Sequence, residues 1–478
     1  MTRTRDDFFA ALRRKRLLLV RKGANEMKSN RREFLNAATG AGVSVALATA
    51  LNGTSDKALA RGETFDPGKS APGDPNAITD PDREIGKPYV GWKEGELDLH
   101  FISTGSGENA FHIYPDGTTM LLDAGDWDHE HYKDGTPEFP DASKRPGERI
   151  ARYISRVRPD IDKIDYVMAS HFHTDHIGDP KFGAGMTEGR DPNYQLSGIA
   201  HVGEFYHFGT AFDRGYPTYD RPTPWAPGER ENLVKFWEYK EKTDGLKREE
   251  FIVGALDQIK LLKEPEKYDF HVRNICRNGV LWTGKEGETI DYFERWPNNM
   301  DQKNENTRSL AIVYQYGPFR FYTGGDASGV LRDADGKDLD FEGAIGRTVG
   351  EVDVCKANHH SYTDSTPRTF TDAVNARVYC VCVWDRWHLQ DNTATAMVLD
   401  EQGATKAKLM CPTCVHEGNA EMMADKAWRA RLVENGGHVV VKVYDGGKKY
   451  KVYYLSHQDE AMTVNLVFGP FESKGARA

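Results

Sequence analysis

The chain has 478 residues, of which 38% are hydrophobic and 28% are charged. This length and composition exclude a small disulfide-stapled module and a disordered chain, and they suit one large domain or two ordinary ones. The sequence contains no run of about 20 apolar residues, which argues against a helix that spans a membrane.

The net charge of −10 conceals two regions of opposite sign. Residues 1–60 carry 12 Lys and Arg against 5 Asp and Glu, whereas the rest of the chain carries 51 basic and 68 acidic side chains and all 16 His. The acidic region argues against nucleic acid as a partner, because that binding depends on many contacts of Lys and Arg with phosphates. It favours a small-molecule substrate.

Residues 1–60 have the three-part order of an export signal. A basic segment that includes residues 31–35 (RREFL) precedes a mildly apolar stretch over residues 37–51, and residues 58–60 (ALA) are of the kind that signal peptidase cuts after. The paired arginines resemble a twin-arginine signal. The resemblance implies the twin-arginine export machinery as a partner, cleavage near Ala60, a periplasmic or secreted location and no membrane anchor afterwards. Met1 and Met27 are alternative starts, and a basic amphipathic helix is the alternative interpretation of the segment.

Beyond residue 60 the chain alternates predicted strands and helices. Residues 61–95 are rich in Pro, Gly and Asp and are expected to form an extended leader. Short apolar runs bounded by turn residues predict strands, and apolar residues at helical spacing predict helices. The predicted strands cover residues 97–102, 110–114, 119–122, 164–169, 310–316, 319–323, 352–357, 377–383, 438–444 and 450–455, and the predicted helices cover about residues 150–157, 229–262 and 421–434.

This order predicts one α/β domain over residues 96–460, in which helices cover the sheets. Residues 180–300 are polar and irregular apart from one helix, and they are interpreted as an insertion in this domain. Residues 461–478 are interpreted as a C-terminal tail.

Four potential metal ligands follow the predicted strand at residues 164–169 within six residues. They are His171, His173, Asp175 and His176. Side chains at i and i+2 of an extended chain point to the same side, so His171 and His173 can bind one ion. Asp175 and His176 lie past the bend and can reach a second ion. Imidazole and carboxylate ligands suit Zn²⁺ and related divalent ions, and a loop so rich in ligand types seldom serves packing alone.

This H-x-H-x-D-H pattern resembles the signature of the metallo-β-lactamase superfamily. The further ligands of that family are matched in order by Asp123, Asp326 and His359, each of which follows a predicted strand or ends one. The resemblance covers about residues 97–460. It implies a four-layer αββα sandwich of the metallo-β-lactamase type.

Shorter motifs resemble the competence-protein branch of the superfamily, whose members have been linked to phosphodiester hydrolysis. These are the glycine loop at residues 105–107, residues 304–306 (NEN) and residues 359–361 (HHS). The chain departs from that branch by carrying Ser106 and Glu108 at the glycine loop, and Ser361 where glycine is usual.

The resemblance implies two divalent ions, most consistent with Zn²⁺ and with Fe or Mn as alternatives. Asp123 would orient the histidine loop by hydrogen bonds. Of the adjacent pair, His359 is the expected ligand and His360 is expected to face the substrate. The implied ligands are His171, His173 and Asp326 for the first ion, and Asp175, His176, Asp326 and His359 for the second.

The family usually supplies a third histidine to the first ion from the stretch before Asp326. His201 and His207 are the candidates here, and a packing or surface role is the alternative for each. His388 follows a predicted strand and either serves the leaving group or lies at the surface. Arg386 either meets an anionic substrate or is a solvated charge.

Two groups of residues have open interpretations. Cys411 and Cys414 form a C-x-x-C pair, for which a local disulfide and free thiols both stand. Several aromatic residues fall in predicted loops that either line a substrate pocket or pack within the insertion. They are Trp127, Tyr132, Phe205, Tyr206, Phe208 and Trp225.

The function implied is an exported metal-dependent hydrolase that uses a metal-bridging hydroxide on a phosphodiester or another small ester-like substrate. Its catalytic candidates are Asp175, His360 and His388. The alternatives are hydrolysis of a lactone or of an amide of the β-lactam type, and an iron-dependent oxidoreductase of the same fold, because the same ligand types also hold iron. A binding protein whose site has decayed is a third class.

Overall fold

The computed structural model describes residues 82–127, 134–181, 193–221, 229–295, 304–328, 331, 333, 335 and 337–477. The expected export signal and most of the expected leader lie outside these residues. All of the described residues belong to one compact unit, Pro67–Ala478.

Seventeen strands are present in the described part of the chain, and they form two sheets. The strands are β1 (Leu97–Phe101), β2 (Asn109–Ile113), β3 (Thr119–Ala124), β4 (Lys163–Ala169), β5 (His207–Asp213), β6 (Lys247–Arg248), β7 (Phe270–Arg277), β8 (Val280–Trp282), β9 (Thr289–Asp291), β10 (Ala311–Tyr316), β11 (Phe319–Thr323), β12 (Val354–Lys356), β13 (Val378–Val381), β14 (Leu409–Pro412), β15 (His438–Tyr444), β16 (Lys449–Leu455) and β17 (Val464–Glu472). The first sheet has the order β17-β16-β15-β1-β2-β3-β4-β5-β6, and the second has the order β14-β13-β12-β11-β10-β7-β8-β9.

Helices cover the outer faces of both sheets. Within the described residues, the α-helices are α1 (Pro146–Val157), α2 (Thr174–Ile177), α3 (Gly198–Val202), α4 (Glu229–Thr243), α5 (Tyr292–Arg295), α6 (Phe341–Val349), α7 (Arg368–Val374), α8 (Asp391–Val398) and α9 (Ala420–Met423). Apolar residues of α1, α3 and α4 share one core cluster with the first sheet. Residues of α6, α7 and α8 share another core cluster with the second sheet. No helix in the described part of the chain combines the length and apolarity needed to cross a membrane.

The inner faces of the two sheets meet through aromatic side chains. The ring of Phe101 in β1 lies 6.1 Å from that of Phe321 in β11, and His112 Nδ1 in β2 lies 2.9 Å from the hydroxyl oxygen of Tyr314 in β10. Because helices cover the outer faces and the sheets cover each other, every residue of strands such as β1 and β3 is buried. The predicted αββα sandwich is therefore confirmed.

The predicted helix over residues 229–262 is wrong beyond Thr243. The helix α4 ends there, and Gly245 takes a positive φ of 71° before the chain enters β6. Phe251, Ile259 and Leu261 are buried by tertiary packing and not by a continued helix. The predicted helix over residues 421–434 is likewise replaced by the four-residue helix α9 and a 3₁₀ segment, Ala427–Arg431.

The segments interpreted from the sequence as an insertion and a C-terminal tail contribute strands to the two sheets. Residues 180–300 supply β5 and β6 to the first sheet and β7 to β9 to the second. Residues 461–478 contain β17, an edge strand that pairs antiparallel with β16. Cys411 and Cys414 are buried free thiols, and burial raises the pKa of Cys414 to about 12.

A buried histidine pair contacts the segment that follows β1. Ser103 Oγ lies 2.8 Å from His457 Nδ1, and the backbone N–H of Ser103 donates to His438 Nδ1 over 3.1 Å. The ring of Phe139 stacks on His457 with centroids 3.6 Å apart. Burial lowers the pKa of His457 to about 4, so the folded state keeps this imidazole neutral.

This burial predicts a loss of stability in mild acid. The unfolded chain binds a proton at His457 with an ordinary pKa of about 6.5, so the free energy of unfolding falls as the pH drops from that value towards 4. Between pH 7 and pH 5 His457→Gln should lose about 2 kcal/mol less stability than wild type in urea unfolding. His271→Gln, at a half-exposed position, should lose as much as wild type. Equal losses for wild type and His457→Gln would contradict the prediction.

Candidate metal centre

The loops that carry the predicted ligands leave the carboxyl ends of strands in both sheets. The segment His171–His176 follows β4 of the first sheet, Asp326 follows β11, and His359 and His360 follow β12 of the second sheet. His171 and Phe172 lie in a bend after β4, His173 is extended, and α2 begins at Thr174. This local fold brings His171 Nε2 to 3.0 Å from His173 Nδ1, as an i, i+2 pair requires.

Two groups of donor atoms could each hold a metal ion, and Asp326 belongs to both. His171, His173 and Asp326 form one group. Glu108, His176, Asp326 and His360 form the other, and all four side chains are buried. In each group the ligand atoms lie within 4.8 Å of one another. Asp175 lies beside the second group, with its Oδ2 3.1 Å from His360 Nε2.

The hydrogen bonds of the second group fix which ring nitrogens face its centre. His176 Nδ1 lies 2.8 Å from a carboxylate oxygen of Asp123, and His360 Nδ1 lies 2.8 Å from the carbonyl oxygen of Cys382. Both partners can only accept, so both Nδ1 atoms carry protons. In neutral rings the two Nε2 atoms are then lone-pair acceptors, although they lie 3.3 Å apart.

Carboxylate oxygens face the same point. Oδ2 of Asp326 lies 3.1 Å from His176 Nε2 and 3.4 Å from His360 Nε2. Oδ1 of Asp326 is buried and accepts no hydrogen bond from the described residues. The lone pairs of these nitrogen and oxygen acceptors repel each other around one buried point unless a cation lies between them. Zinc, iron and manganese all bind imidazole and carboxylate ligands. The residues therefore fit a divalent metal.

The charges around the second group favour a positive charge at its centre. Burial alone would lower the pKa of His176, but the carboxylates of Asp326, Asp175 and Asp123 raise it well above its ordinary value. Burial would raise the pKa of Asp175, and the neighbouring His176 and His360 hold it below its usual range. The pKa of the histidine is raised and the pKa of the aspartate is lowered, so both shifts favour a charged imidazolium beside a charged carboxylate.

Asp123 holds the histidine loop in place. Its two carboxylate oxygens accept the backbone N–H of Ser170 over 2.7 Å and the hydroxyl of Ser170 over 2.6 Å, in addition to the contact with His176. Asp123 itself sits at a positive φ of 54° at the end of β3. Its carboxylate thus orients the His176 ring and fixes the end of β4.

The structure exchanges the expected positions of His359 and His360. His360 is buried in the second group, whereas His359 Nε2 lies 3.9 Å from Asp326 Oδ2 and its Nδ1 lies 2.6 Å from Asp364. Residues 359–361 all have positive φ, from 45° to 61°, so the chain turns sharply and side chains do not alternate as they do in a strand. His360, and not His359, is therefore placed to bind with His176, and His359 lines the cavity above.

Glu108 and Lys356 also belong to the site, although the sequence motifs assigned a role to neither. Lys356 is fully buried in β12, forms an ion pair with Glu108, and donates to the carbonyl oxygen of Gly325 over 2.6 Å. Burial alone would lower the pKa of Lys356, but Glu108 and Asp326 raise it above its ordinary value. A lysine inside an apolar strand run was the available signal, since a buried ammonium requires paired carboxylates.

Neither His201 nor His207 joins the two donor groups. His201 packs against Phe205 with ring centroids 5.8 Å apart, and its Cβ abuts Gly147 of α1. His207 is half exposed, and its Nδ1 lies 3.0 Å from Asp244. Both have the packing or surface role that was their alternative.

His388 lies directly beside the second group. Its ring stacks on His360 with centroids 4.5 Å apart, and its Nδ1 accepts the backbone N–H of Trp384 over 3.3 Å. Burial lowers the pKa of His388 well below its ordinary value, so the ring is neutral and Nε2 carries its proton. His388 can therefore donate a hydrogen bond.

A cavity of about 350 Å³ opens onto these residues. Trp127 lines it, as one interpretation of the aromatic loops requires, whereas Tyr206 and Phe208 are buried in the core of the first sheet. Phe205 is half exposed, and Tyr132 and Trp225 lie outside the described residues. The described residues that line the cavity are Trp127, Phe172, His173, Thr174, Asp175, Asp326, His359, His360, Tyr362, Trp384, Asp385, Trp387 and His388.

A larger cavity of about 630 Å³ lies elsewhere, between Arg221, Arg277 and Glu294. Neither donor group borders it. The smaller cavity is therefore the candidate substrate site, because it is the one that opens onto the proposed metal ligands.

Residues 103–179 match a family model described as the metallo-beta-lactamase superfamily. The matched segment contains Asp123 and the whole histidine loop. No curated protein matches the chain.

Solved structures that resemble the chain share little sequence with it. A mutant of the CmlA β-hydroxylase has 11% identity and a TM-score of 0.29, and the match covers 61% of this chain and 46% of that one. A proposed zinc-dependent hydrolase of the metallo-beta-lactamase superfamily from Thermotoga maritima has 9% identity, a TM-score of 0.22 and coverages of 59% and 74%. A protein of unknown function from Enterococcus faecalis V583 has 12% identity, a TM-score of 0.23 and coverages of 55% and 49%. The chain thus spans less than half the length of the first and third of these.

Proposed function

We propose that this protein is a metal-dependent hydrolase that acts on a small ester-like substrate with the help of two divalent cations. The observation that carries the proposal is that two donor groups share Asp326 beside one cavity, one of them fully buried and the other buried except for His173. His171 and His173 would hold one cation together with Asp326. His176 and His360 would hold the other with Asp326, and Asp175 lies within reach of both histidines.

Two divalent cations, when bound, lower the pKa of a water molecule to about 7 and offset the charge that develops in the transition state. The chain's own residues prepare the site for that chemistry. Asp123 and the carbonyl oxygen of Cys382 fix the rings of His176 and His360, so that both Nε2 atoms point inward. Nε2–H of His388 is available to the leaving group or to a developing oxyanion. The indole rings of Trp127 and Trp384 exclude water from one side of the cavity.

An activity screen with metal analysis of the same sample tests the proposal. Bis-p-nitrophenyl phosphate, a lactone and a β-lactam would be assayed side by side on protein purified without added metal. We expect hydrolysis of at least one substrate and a divalent metal content that falls with activity on chelation. In the double variant Asp175→Ala, His176→Ala the rate should fall by more than about 100-fold, because loss of mere outer partners of a metal site already costs about 10- to 100-fold.

A matched control is the double variant Asp269→Ala, His271→Ala. These two side chains also form an Asp–His pair, 3.2 Å apart, but they are at least half exposed and do not line the cavity. This variant should retain wild-type rates. Equal activity of the Asp175, His176 double variant and wild type on every substrate would contradict the hydrolase. So would a protein that contains mainly iron and consumes oxygen.

We further propose that the chain is exported by the twin-arginine route and acts in the periplasm or outside the cell. The support is the order of basic, apolar and small residues over residues 1–60. N-terminal sequencing of exported protein should find a start near Arg61, and an intact N-terminus would contradict cleavage.

A further inference from the structure

The cavity above the donor groups has aromatic walls. The rings of Trp127 and Trp384 lie 5.1 Å apart at a tilt of 36°, and Trp384 meets His388 edge-on at 5.0 Å. Phe172 and Tyr362 add two more rings to the lining. Aromatic faces in this number bury a large apolar area and select flat or apolar groups.

Trp387 stands at the mouth of the cavity. The residue is 44% exposed, which is a high fraction for a tryptophan in a folded domain. The guanidinium of Arg386 lies over its ring at 4.5 Å and also forms an ion pair with Asp134 at 3.1 Å. Arg386 thus packs on the Trp387 indole and pairs with the Asp134 carboxylate. It is not among the residues that line the cavity.

The charged side chains of the lining have the wrong sign for an anion. Among the described residues that line the cavity, none is Lys or Arg, and the carboxylates are Asp175, Asp326 and Asp385. Sites that recognise phosphate or carboxylate groups normally supply Arg or Lys to pair with the oxygens. The carboxylates of Asp175, Asp326 and Asp385 would offset three of the four positive charges of two divalent cations.

We infer that the substrate is an electrically neutral carboxylic ester or lactone with an aromatic or other apolar group, which packs between Trp384 and Trp387. This inference rests on the proposed hydrolase function and narrows its substrate class. Hydrolysis of such a substrate adds water across the acyl C–O bond. The water oxygen bonds to the carbonyl carbon, the C–O bond to the leaving group breaks, and a water proton ends on the departing alcohol, so no oxidant or reductant is needed.

Two esters with the same leaving group isolate the effect of charge. 4-Nitrophenyl butyrate and 4-nitrophenyl hemisuccinate differ in the charge of the acyl tail, and bis-p-nitrophenyl phosphate provides the phosphodiester comparison. With each ester corrected for its spontaneous rate, we expect kcat/KM to favour butyrate by at least about 10-fold. A 4-nitrophenyl phenylacetate should be better still, because its ring can stack on the indoles.

Trp387→Ala tests the aromatic wall. It should raise KM for the phenylacetate about 10-fold, with kcat and metal content nearly unchanged, because this exposed side chain binds the apolar group and does not touch the reacting atoms. Trp282→Ala is the matched control. That indole also lies under a guanidinium, that of Arg273 at 4.5 Å, but it does not line the cavity, so the variant should keep wild-type kinetics.

The outcomes separate the inference from the function on which it rests. Preference for the hemisuccinate, hydrolysis of the phosphodiester alone, or an unchanged KM in Trp387→Ala would overturn the inference and leave a hydrolase. Failure to hydrolyse any ester, lactone, β-lactam or phosphodiester in the metal-loaded protein would overturn the proposed function itself.

Discussion

Replacement of Asp326 by Asn is expected to remove most of the bound metal and to reduce hydrolysis by more than about 100-fold. This carboxylate belongs to both donor groups, and its Oδ2 lies 3.1 Å from His176 Nε2. Asn has nearly the same shape but no charge, so it would not balance the charge of a cation in either donor group. The effect should exceed the about 10- to 100-fold cost of removing an outer partner of a metal ligand.

The measurement is metal content per chain together with kcat/KM on the same preparation. Asp269→Asn is the control, since that carboxylate is 67% exposed and lies beside His271, outside the cavity. It should leave both quantities unchanged. An Asp326→Asn variant that retains the wild-type metal content and rate would show that the two donor groups are not the metal site.

The second large effect is expected at Glu305, a buried carboxylate behind the histidine loop. Oε1 of Glu305 accepts the backbone N–H of Phe172 over 3.0 Å, and its carboxylate forms a two-pronged pair with Arg214, with N–O distances of 2.5 and 2.7 Å. The Arg214 guanidinium also lies 4.4 Å from the Phe172 ring centroid. Arg308 lies nearby, 3.6 Å from Oε2. Phe172 stands between His171 and His173, so Glu305 holds the backbone of both proposed ligands.

Glu305→Gln should therefore lower the free energy of unfolding by about 3–5 kcal/mol, because it leaves buried guanidinium charge without its carboxylate. Urea unfolding measures the loss. Glu286→Gln removes a carboxylate that is 82% exposed and 3.1 Å from Arg273, and it should cost less than about 1 kcal/mol. A Glu305→Gln variant as stable as Glu286→Gln would contradict the proposed role of Glu305 in holding the histidine loop.

The parts of the site that were predictable from sequence are those that depend on neighbours in the chain. His171 and His173 form a pair because an apolar strand ends just before them, and both the strand and the i, i+2 spacing are legible in the sequence. The end of a strand likewise marked Asp123 and Asp326. The same local logic predicted ten of the seventeen strands (β1 to β4, β10 to β13, β15 and β16), whereas β5 to β9, β14 and β17 were not predicted.

The parts that were not predictable depend on backbone turns or on distant partners. The residue types at positions 359–361 do not predict three consecutive positive φ values. These φ values place His360, and not His359, in the buried group. The pairing of Lys356 with Glu108 joins residues 248 positions apart, so neither is informative alone. The predicted continuation of α4 failed for a related reason, since Phe251 and Ile259 are buried by contacts from elsewhere in the fold.

The sharing of ligands between the sheets has a consequence for the stability of the whole fold. The histidine loop belongs to the first sheet, whereas Asp326 and His360 belong to the second, so a bound cation would cross-link the two halves of the sandwich at one end. A ligand that binds only the folded form adds its binding free energy to the cost of unfolding. Separation of the sheets would then require release of the metal. The divalent ion would therefore stabilise the fold in addition to taking part in catalysis.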